Sequence, residues 1–75
     1  MSDHLESLAI TKLPIRLGQF LKLAYVVQDG FEAKMKIKNG EVKVNGKLET
    51  KRGRKLQASD EITFGGKTWR IETAL

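Results

Sequence analysis

The chain has 75 residues, of which 40% are hydrophobic, and it contains one histidine and no cysteine. This size and composition predict one small folded domain, and they exclude a disulfide framework and a thiolate metal site. The net charge of +5 is concentrated in residues 34–55, which hold nine basic and two acidic residues, or +7. This concentration favours a polyphosphate partner, because each neutralised phosphate releases condensed counterions, although a solvated lysine surface would give the same count.

Residues 1–13 form an N-terminal segment ahead of the predicted domain. Within it, residues 7–12 include the sequence Leu-Ala-Ile-Thr, which predicts a short edge strand. The segment begins with polar and acidic residues and lacks the basic start and apolar run of a signal peptide. No apolar stretch in the chain approaches the ~20 residues of a membrane span. We therefore expect a cytoplasmic protein with no membrane partner.

The first predicted helix covers residues 15–24. Pro14 suits a helix start, because the N–H group that proline lacks would have no partner in the first turn. The apolar residues that follow have the spacing of an amphipathic helix: Leu17, Phe20, Leu21 and Ala24.

The next segment gives two conflicting signals. Residues 33–38 alternate with period two, which is typical of a strand, but they are good helix formers. Asp29 with Glu32 three residues later forms a helix-capping pattern, and Asn39-Gly40 suits a helix end. We predict a helix over residues 30–39, with Ala33 and Ile37 facing inward. Lys34 and Lys38 then share one face.

Two hairpins are predicted in the C-terminal half. Residues 41–44 alternate, and Asn45-Gly46 is a strong signal for a tight turn before a return strand at 47–49. Residues 50–55 form a basic loop. A second hairpin joins residues 61–64 to residues 67–71 across two glycines, and residues 72–75 are predicted to be a frayed tail.

The sequence does not predict an enzyme. His4 is the only imidazole and is interpreted as a surface residue, whereas nucleophilic catalysis needs a base beside its nucleophile. The nearest pair of carboxylates, Asp60-Glu61, occupies adjacent positions in a turn and does not converge on one atom. Gly65-Gly66 lacks the spacing of a phosphate-binding loop. We expect no metal site and no cofactor.

The basic loop is the best candidate for binding. Residues 51–55 hold four cations in five positions, and Gly53 lets the loop approach a backbone closely. Arginine can hold a phosphate with two hydrogen bonds, while lysine acts as a point charge. The aromatic residues do not predict a stacking surface, because Phe20, Phe64 and Trp69 fit the core pattern. Tyr25 and Phe31 flank the turn between the helices, where one of them is expected to be exposed.

Taken in order, these signals resemble a known family. They are residues 16–23, a Gly-x-Val-x-Val-Asn-Gly segment at 40–46 after an Ala-Lys-x-x-Ile helix, and an Asp-x-Ile strand start at 60–62. The family is the RNA-binding domain named after small-subunit ribosomal protein S-four, also called the alpha-L motif. The resemblance covers residues 14–71 and is greatest for small stand-alone bacterial proteins of the YbcJ/YaaA type.

The resemblance implies an α+β fold with two helices packed on a small, strongly bent antiparallel sheet. It also implies that structured RNA binds across the helix pair and the first hairpin. The family often has Ser-Arg where this chain has Asp29-Gly30, so one arginine contact to phosphate is missing. Together with the basic loop, the resemblance gives the candidate binding residues Arg16, Lys22, Lys34, Lys38, Lys51, Arg52, Arg54 and Lys55.

We interpret the chain as a monomer that binds structured RNA, either ribosomal RNA or its precursor, through phosphate and shape contacts. A role in ribosome assembly or RNA metabolism follows, with ribosomal particles as further partners. The alternative is a protein-interaction module of a ribonucleoprotein that makes no direct contact with RNA. A DNA ligand also stays open, because the sequence does not separate recognition of the 2′-hydroxyl from recognition of duplex shape.

Overall fold

The computed structural model describes residues 4–74, without the side chain of His4. The elements in chain order are β1 (His4–Ile10), β2 (Ile15–Arg16), α1 (Leu17–Leu23), α2 (Gly30–Lys38), β3 (Val42–Val44), β4 (Lys47–Leu48), β5 (Lys55–Leu56), β6 (Glu61–Phe64) and β7 (Lys67–Thr73). Five strands form one sheet in the order β1-β7-β6-β3-β4, and β2 pairs with β5 in a second, two-stranded sheet. The predicted α+β class with two helices is confirmed. Within the described residues, no helix is long and apolar enough to cross a membrane.

The core lies between the two helices and one face of the larger sheet. On the sheet side, alternation buries every second residue, as in β3, where Lys43 is exposed between two buried valines. The largest fully buried side chains are Leu17, Phe20, Leu21, Ile37, Val42, Val44, Leu56, Ile62 and Ile71. The predicted inward positions on both helices are thus confirmed, except that Ala24 is only half-buried.

The aromatic residues divide between core and surface. Phe20 and Trp69 are buried and meet edge to face, with ring centroids 6.4 Å apart, as favoured by the quadrupoles of the two rings. Phe64 is half-buried against the core. Tyr25 and Phe31 are 93% and 71% exposed, so both are on the surface, where the sequence favoured only one.

Helix α1 is shorter than predicted at its start. The prediction began at residue 15, but Ile15 pairs with Leu56 and Arg16 pairs with Lys55 in an antiparallel arrangement. Arg16 has extended backbone angles, φ −81° and ψ 148°, so the helix begins at Leu17. The amphipathic spacing could not reveal this pairing, because the partner strand lies about forty residues away in the sequence.

Helix α2 resolves the conflict between helix and strand. Asp29 accepts a hydrogen bond from the Glu32 N–H at 2.8 Å, as predicted for the N-cap, while the Glu32 carboxylate accepts one from the Gln28 N–H at 2.7 Å. The helix ends at Lys38, one residue before the predicted end, with Asn39 as its C-cap, and Gly40 follows with a left-handed φ of +79°. The carboxylate of Asp29, whose negative charge would repel an anion, therefore caps the helix.

The N-terminal strand is longer than predicted and changes the character of the sheet. β1 spans seven residues and pairs in parallel with β7 along its whole length, so the sheet is mixed and not wholly antiparallel. This pairing also corrects the prediction of a frayed tail from residue 72. β7 continues to Thr73, and the Ala74 N–H donates to the Ile10 carbonyl at 3.2 Å, because β1 supplies the partners. Residue 75 lies outside the described part of the chain.

The first hairpin has the predicted turn. Asn45 and Gly46 both have positive φ, at 52° and 82°. The Asn45 side chain also donates to Asp60 at 3.1 Å and accepts from the Glu61 N–H at 2.9 Å. The turn therefore fixes the start of β6 as well as the register of the first hairpin.

We predict that Gly46→Val costs about 1–3 kcal/mol of folding free energy. Apart from the two chain neighbours, no described atom lies within 4 Å of the position that a Cβ would take, so the cost arises from the left-handed backbone and not from a clash. Gly53→Val is the matched control. A Cβ at Gly53 also meets open space, and the φ of Gly53 is not left-handed. Chemical denaturation measures both variants, and equal losses would show that positive φ is not the cause.

Candidate nucleic-acid interface

The basic loop is fixed to the start of α1 by its own backbone. Arg16, the N-cap residue of α1, makes no capping hydrogen bond with its side chain. Instead, the Leu17 N–H donates to the Arg54 carbonyl at 2.8 Å, and the Gly18 N–H donates to the Arg52 carbonyl at 3.1 Å. Two of the helix-terminal N–H groups that need a partner outside the helix find one in the loop. The loop is therefore held against the helix although its residues 50–54 are all exposed.

Gly18 lets the loop approach closely. A Cβ at this position would lie 2.6 Å from Cγ of Arg52 and 3.2 Å from its Cδ. The aliphatic stem of Arg52 thus occupies the space that any other residue's Cβ would take, and its guanidinium stays in solvent. A glycine on the buried side of a helical pattern is a sequence signal for close backbone approach, and Gly18 is a binding-site residue that the charge pattern did not reveal.

The short β2–β5 pair brings two more cations together. Arg16 and Lys55 lie directly opposite each other, and side chains in opposite positions of an antiparallel pair point to the same side. Both are exposed. Like charges in this position repel each other, so the arrangement favours an anion between them.

Three predicted binding residues line one open cleft of about 230 Å³. Its lining consists of Arg16, Gly18, Gln19, Lys22, Gly30, Arg52 and Gly53. We call this the basic cleft. It contains three cations and no carboxylate, and within residues 4–74 none of the three forms an ion pair. A cleft lined by one sign of charge concentrates the field and attracts anions.

The lysines of α2 continue from this cleft. Gly30 lines the cleft, and Lys34 and Lys38 follow it at intervals of four residues, which places all three along one side of the helix. Both lysines are exposed. Lys51 is exposed in the loop, but it does not line the basic cleft.

Arg54 differs from its neighbours in the loop. Its Nη1 lies 2.6 Å from Oε1 of Glu49, a carboxylate whose side chain is only 14% exposed. Glu49 also accepts a hydrogen bond from the Lys51 N–H at 3.1 Å. The hydrogen bond from Arg54 is the main cause that lowers the pKa of Glu49. Arg54 therefore shapes the loop, and its charge is already partnered.

The lowered pKa of Glu49 predicts a contribution to acid sensitivity. A carboxyl group with a depressed pKa stabilises the fold above its ordinary pKa of 4.5, and this stability is lost as the pH falls through the lower folded-state value. We expect Glu49→Gln to reduce the loss of thermal stability between about pH 5 and about pH 2. Glu41→Gln is the control, because its contact with Lys36 is 3.8 Å long and open to solvent. An unchanged acid dependence in Glu49→Gln would contradict the role of this pair.

The two cations of β7 are both paired with carboxylates. Lys67 lies 3.1 Å from Glu6, and Arg70 lies 2.9 Å from Glu61. Lys43 and Lys47, on β3 and β4, are exposed and form no ion pair within the described residues. Within residues 4–74, the cations without carboxylate partners therefore lie around α1, α2, the loop and the first hairpin, with Lys12 in the segment before β2.

The comparisons with known proteins agree with this architecture. Residues 8–72 match the family model of the S4 domain. The match covers most of the chain, so the chain belongs to the S4 domain family, and the resemblance predicted from the sequence is confirmed.

Two relatives and one solved structure give the family more detail. The chain is 48% identical over 52 residues to the probable ribosome maturation protein RlbA of Bacillus subtilis, covering 69% of this chain and 73% of the relative. It is 36% identical over 52 residues to the putative RNA-binding protein YbcJ of Escherichia coli, covering 69% and 74%. The solution structure of Escherichia coli YbcJ, described as an alpha-L motif involved in RNA binding, superposes with a TM-score of 0.65 at 29% identity, over 97% of this chain and 91% of that one.

Proposed function

We propose that this protein binds structured RNA, either ribosomal RNA or its precursor, through phosphate and shape contacts, and acts in ribosome assembly or RNA metabolism. In this proposal the protein is a cytoplasmic monomer without catalytic activity, and it also binds RNA within ribosomal particles. The observation that carries the proposal is the basic cleft, where Arg16, Lys22 and Arg52 converge with no carboxylate from the described part of the chain.

The charge arrangement supports a backbone ligand rather than a single small anion. Lys55 lies opposite Arg16 just beyond the cleft, and Lys34 and Lys38 extend the positive surface along α2. Successive phosphates of a folded RNA present negative charge over such a length. Arginine can hold a phosphate with two parallel hydrogen bonds, which adds orientation to the attraction.

The family and its members support the same conclusion. One relative is named as a putative RNA-binding protein and another as a probable ribosome maturation protein. A double-stranded RNA helix is recognised mainly by its shape, its phosphates and its 2′-hydroxyls, because side chains cannot read its deep, narrow major groove. A rigid surface of exposed cations suits this form of recognition.

We predict that Arg16→Gln with Arg52→Gln weakens RNA binding at least about tenfold, or about 1.4 kcal/mol. Lys34→Gln with Lys38→Gln should have an effect of similar size, because α2 extends the same surface. The affinity for ribosomal RNA fragments at fixed salt measures both.

The matched control is Lys67→Gln with Arg70→Gln. It makes the same change in net charge on β7, where both cations already have carboxylate partners and exposed ion pairs contribute little to stability. Circular dichroism verifies folding. If the control weakens binding as much as the test pairs, net charge alone determines affinity and no localised interface exists.

Salt dependence provides a second test. If about four to six phosphates are contacted, log K against log salt should have a slope of roughly −3 to −5. The Arg16/Arg52 double variant should make this slope shallower by about two, one for each lost phosphate contact. A slope near zero in the unmodified protein would contradict the electrostatic mechanism. Co-purification before and after RNase treatment separates this function from a protein-interaction module, which would keep its partners.

A further inference from the structure

A larger groove lies beside the basic cleft on the surface of α1. Its volume is about 850 Å³, and it is bordered by the end of β1, the loop before β2, and α1. Pro14, Leu23 and Tyr25 provide apolar surface, and Lys12 and Lys22 provide positive charge, while no carboxylate within residues 4–74 lines it. We call this the tyrosine groove. Gln19 and Lys22 line both the tyrosine groove and the basic cleft, so the two are adjacent.

Tyr25 occupies a position that helices usually reserve for glycine. At the end of α1, the Tyr25 N–H donates to the Lys22 carbonyl and the Val26 N–H donates to the Leu21 carbonyl. This pair of bonds is a Schellman motif, which requires a left-handed residue directly after the helix. Tyr25 has a φ of +60° and is strained there, because its Cβ crowds the backbone.

Helix α2 ends in the same motif with the usual residue. The Gly40 N–H donates to the Ile37 carbonyl, and the Glu41 N–H donates to the Lys36 carbonyl. Gly40 adopts a φ of +79° at the position that corresponds to Tyr25. The Schellman motif therefore forms without a side chain at this position. Tyr25 is 93% exposed, so packing of its ring contributes little stability to offset the backbone strain.

We propose that the tyrosine groove holds an unpaired nucleotide of the bound RNA, with its base stacked on Tyr25. This inference rests on the proposed function and specifies the RNA further, as a duplex with a bulge, loop or single-stranded end beside it. Bases in a duplex are covered by their neighbours on both faces, so only an unpaired base can stack on a side chain.

The chemistry of the groove fits a nucleotide better than an apolar peptide. An aromatic ring stacks on any base, and Leu23 and Pro14 offer further apolar contact. Lys12 and Lys22 can meet the phosphates on either side of the base, and the Gln19 amide can hydrogen-bond to a base edge. Lys22 also lines the basic cleft, so one backbone can pass from the cleft into the groove.

The test compares two RNAs that differ only in one nucleotide. One is a fully paired duplex, and the other is the same duplex with a single bulged 2-aminopurine, whose fluorescence is quenched by stacking. We expect the unmodified protein to bind the bulged RNA about tenfold more tightly and to quench its fluorescence. Tyr25→Gly should remove the preference and the quenching and leave affinity for the paired duplex unchanged, while Tyr25→Phe should keep both.

Two further variants control for folding and for exposed aromatic surface in general. Tyr25→Gly should keep or raise the melting temperature, because it creates the α2 form of the motif, and Tyr25→Asn provides a second residue that tolerates this backbone. Phe31→Ala removes an exposed ring that does not line the groove and should preserve the preference for the bulged RNA.

The outcomes separate this inference from the function on which it rests. Equal affinity for the two RNAs would overturn the nucleotide site and leave RNA binding intact, whereas failure to bind either RNA would overturn both. Loss of the preference in Phe31→Ala as well as in Tyr25→Gly would show a non-specific aromatic effect and reject the groove. A photocrosslinker at position 25 that captures protein instead of RNA in native particles would assign the groove to a protein partner and overturn the inference.

Discussion

The fold and the candidate interface both depend on the contact between the basic loop and the start of α1. A helix of seven residues is too short to be stable alone, and the side chain of Arg16, its N-cap residue, does not cap it. The loop carbonyls of Arg52 and Arg54 complete its first turn. The helix in turn positions the loop, whose residues 50–54 are all exposed and do not pack into the core. The backbone that caps the helix thus belongs to the same residues that present the charge, so an intact α1 and a positioned set of cations form together.

This arrangement gathers like charges, and the core must offset the repulsion. Arg16 and Lys55 face each other across β2 and β5, where repulsion between opposite positions costs up to about 1 kcal/mol. The neighbouring pair is Ile15 with Leu56, and both are buried, at 7% and 0% exposure. Burying such side chains contributes about 1.5–3 kcal/mol each. The apolar pair therefore outweighs the charged pair. An anionic ligand would relieve the repulsion, which means that the free protein keeps an electrostatic cost that binding can recover.

Local patterns in the sequence predicted the features that local interactions determine. The inward residues of both helices, the Asp29 cap of α2 and the Asn45-Gly46 turn agree with the structure. Features that depend on distant partners were not predictable in this way. The parallel pairing of β1 with β7 joins residues more than sixty positions apart, and the two-residue β2 is recognisable only from its partner. The exposure of Tyr25 was also not predictable from the sequence. It follows from the geometry at the end of α1 and not from the spacing of hydrophobic residues.

A count of charges treats the cations of the basic loop as equivalent, although they differ in whether a carboxylate already holds them. Arg52 and Arg54 lie two residues apart in one basic loop and contribute equally to its net charge. Arg52 lies over Gly18 and lines the basic cleft without an ion pair in the described residues, while Arg54 is held by Glu49 at 2.6 Å. The difference arises from one carboxylate, Glu49, which lies between β4 and the loop. A phosphate can approach Arg52 without displacing another anion, but at Arg54 it must compete with a bond already made. The available charge is thus set by which cations have carboxylate partners, and those without partners in the described residues include the three that line the basic cleft.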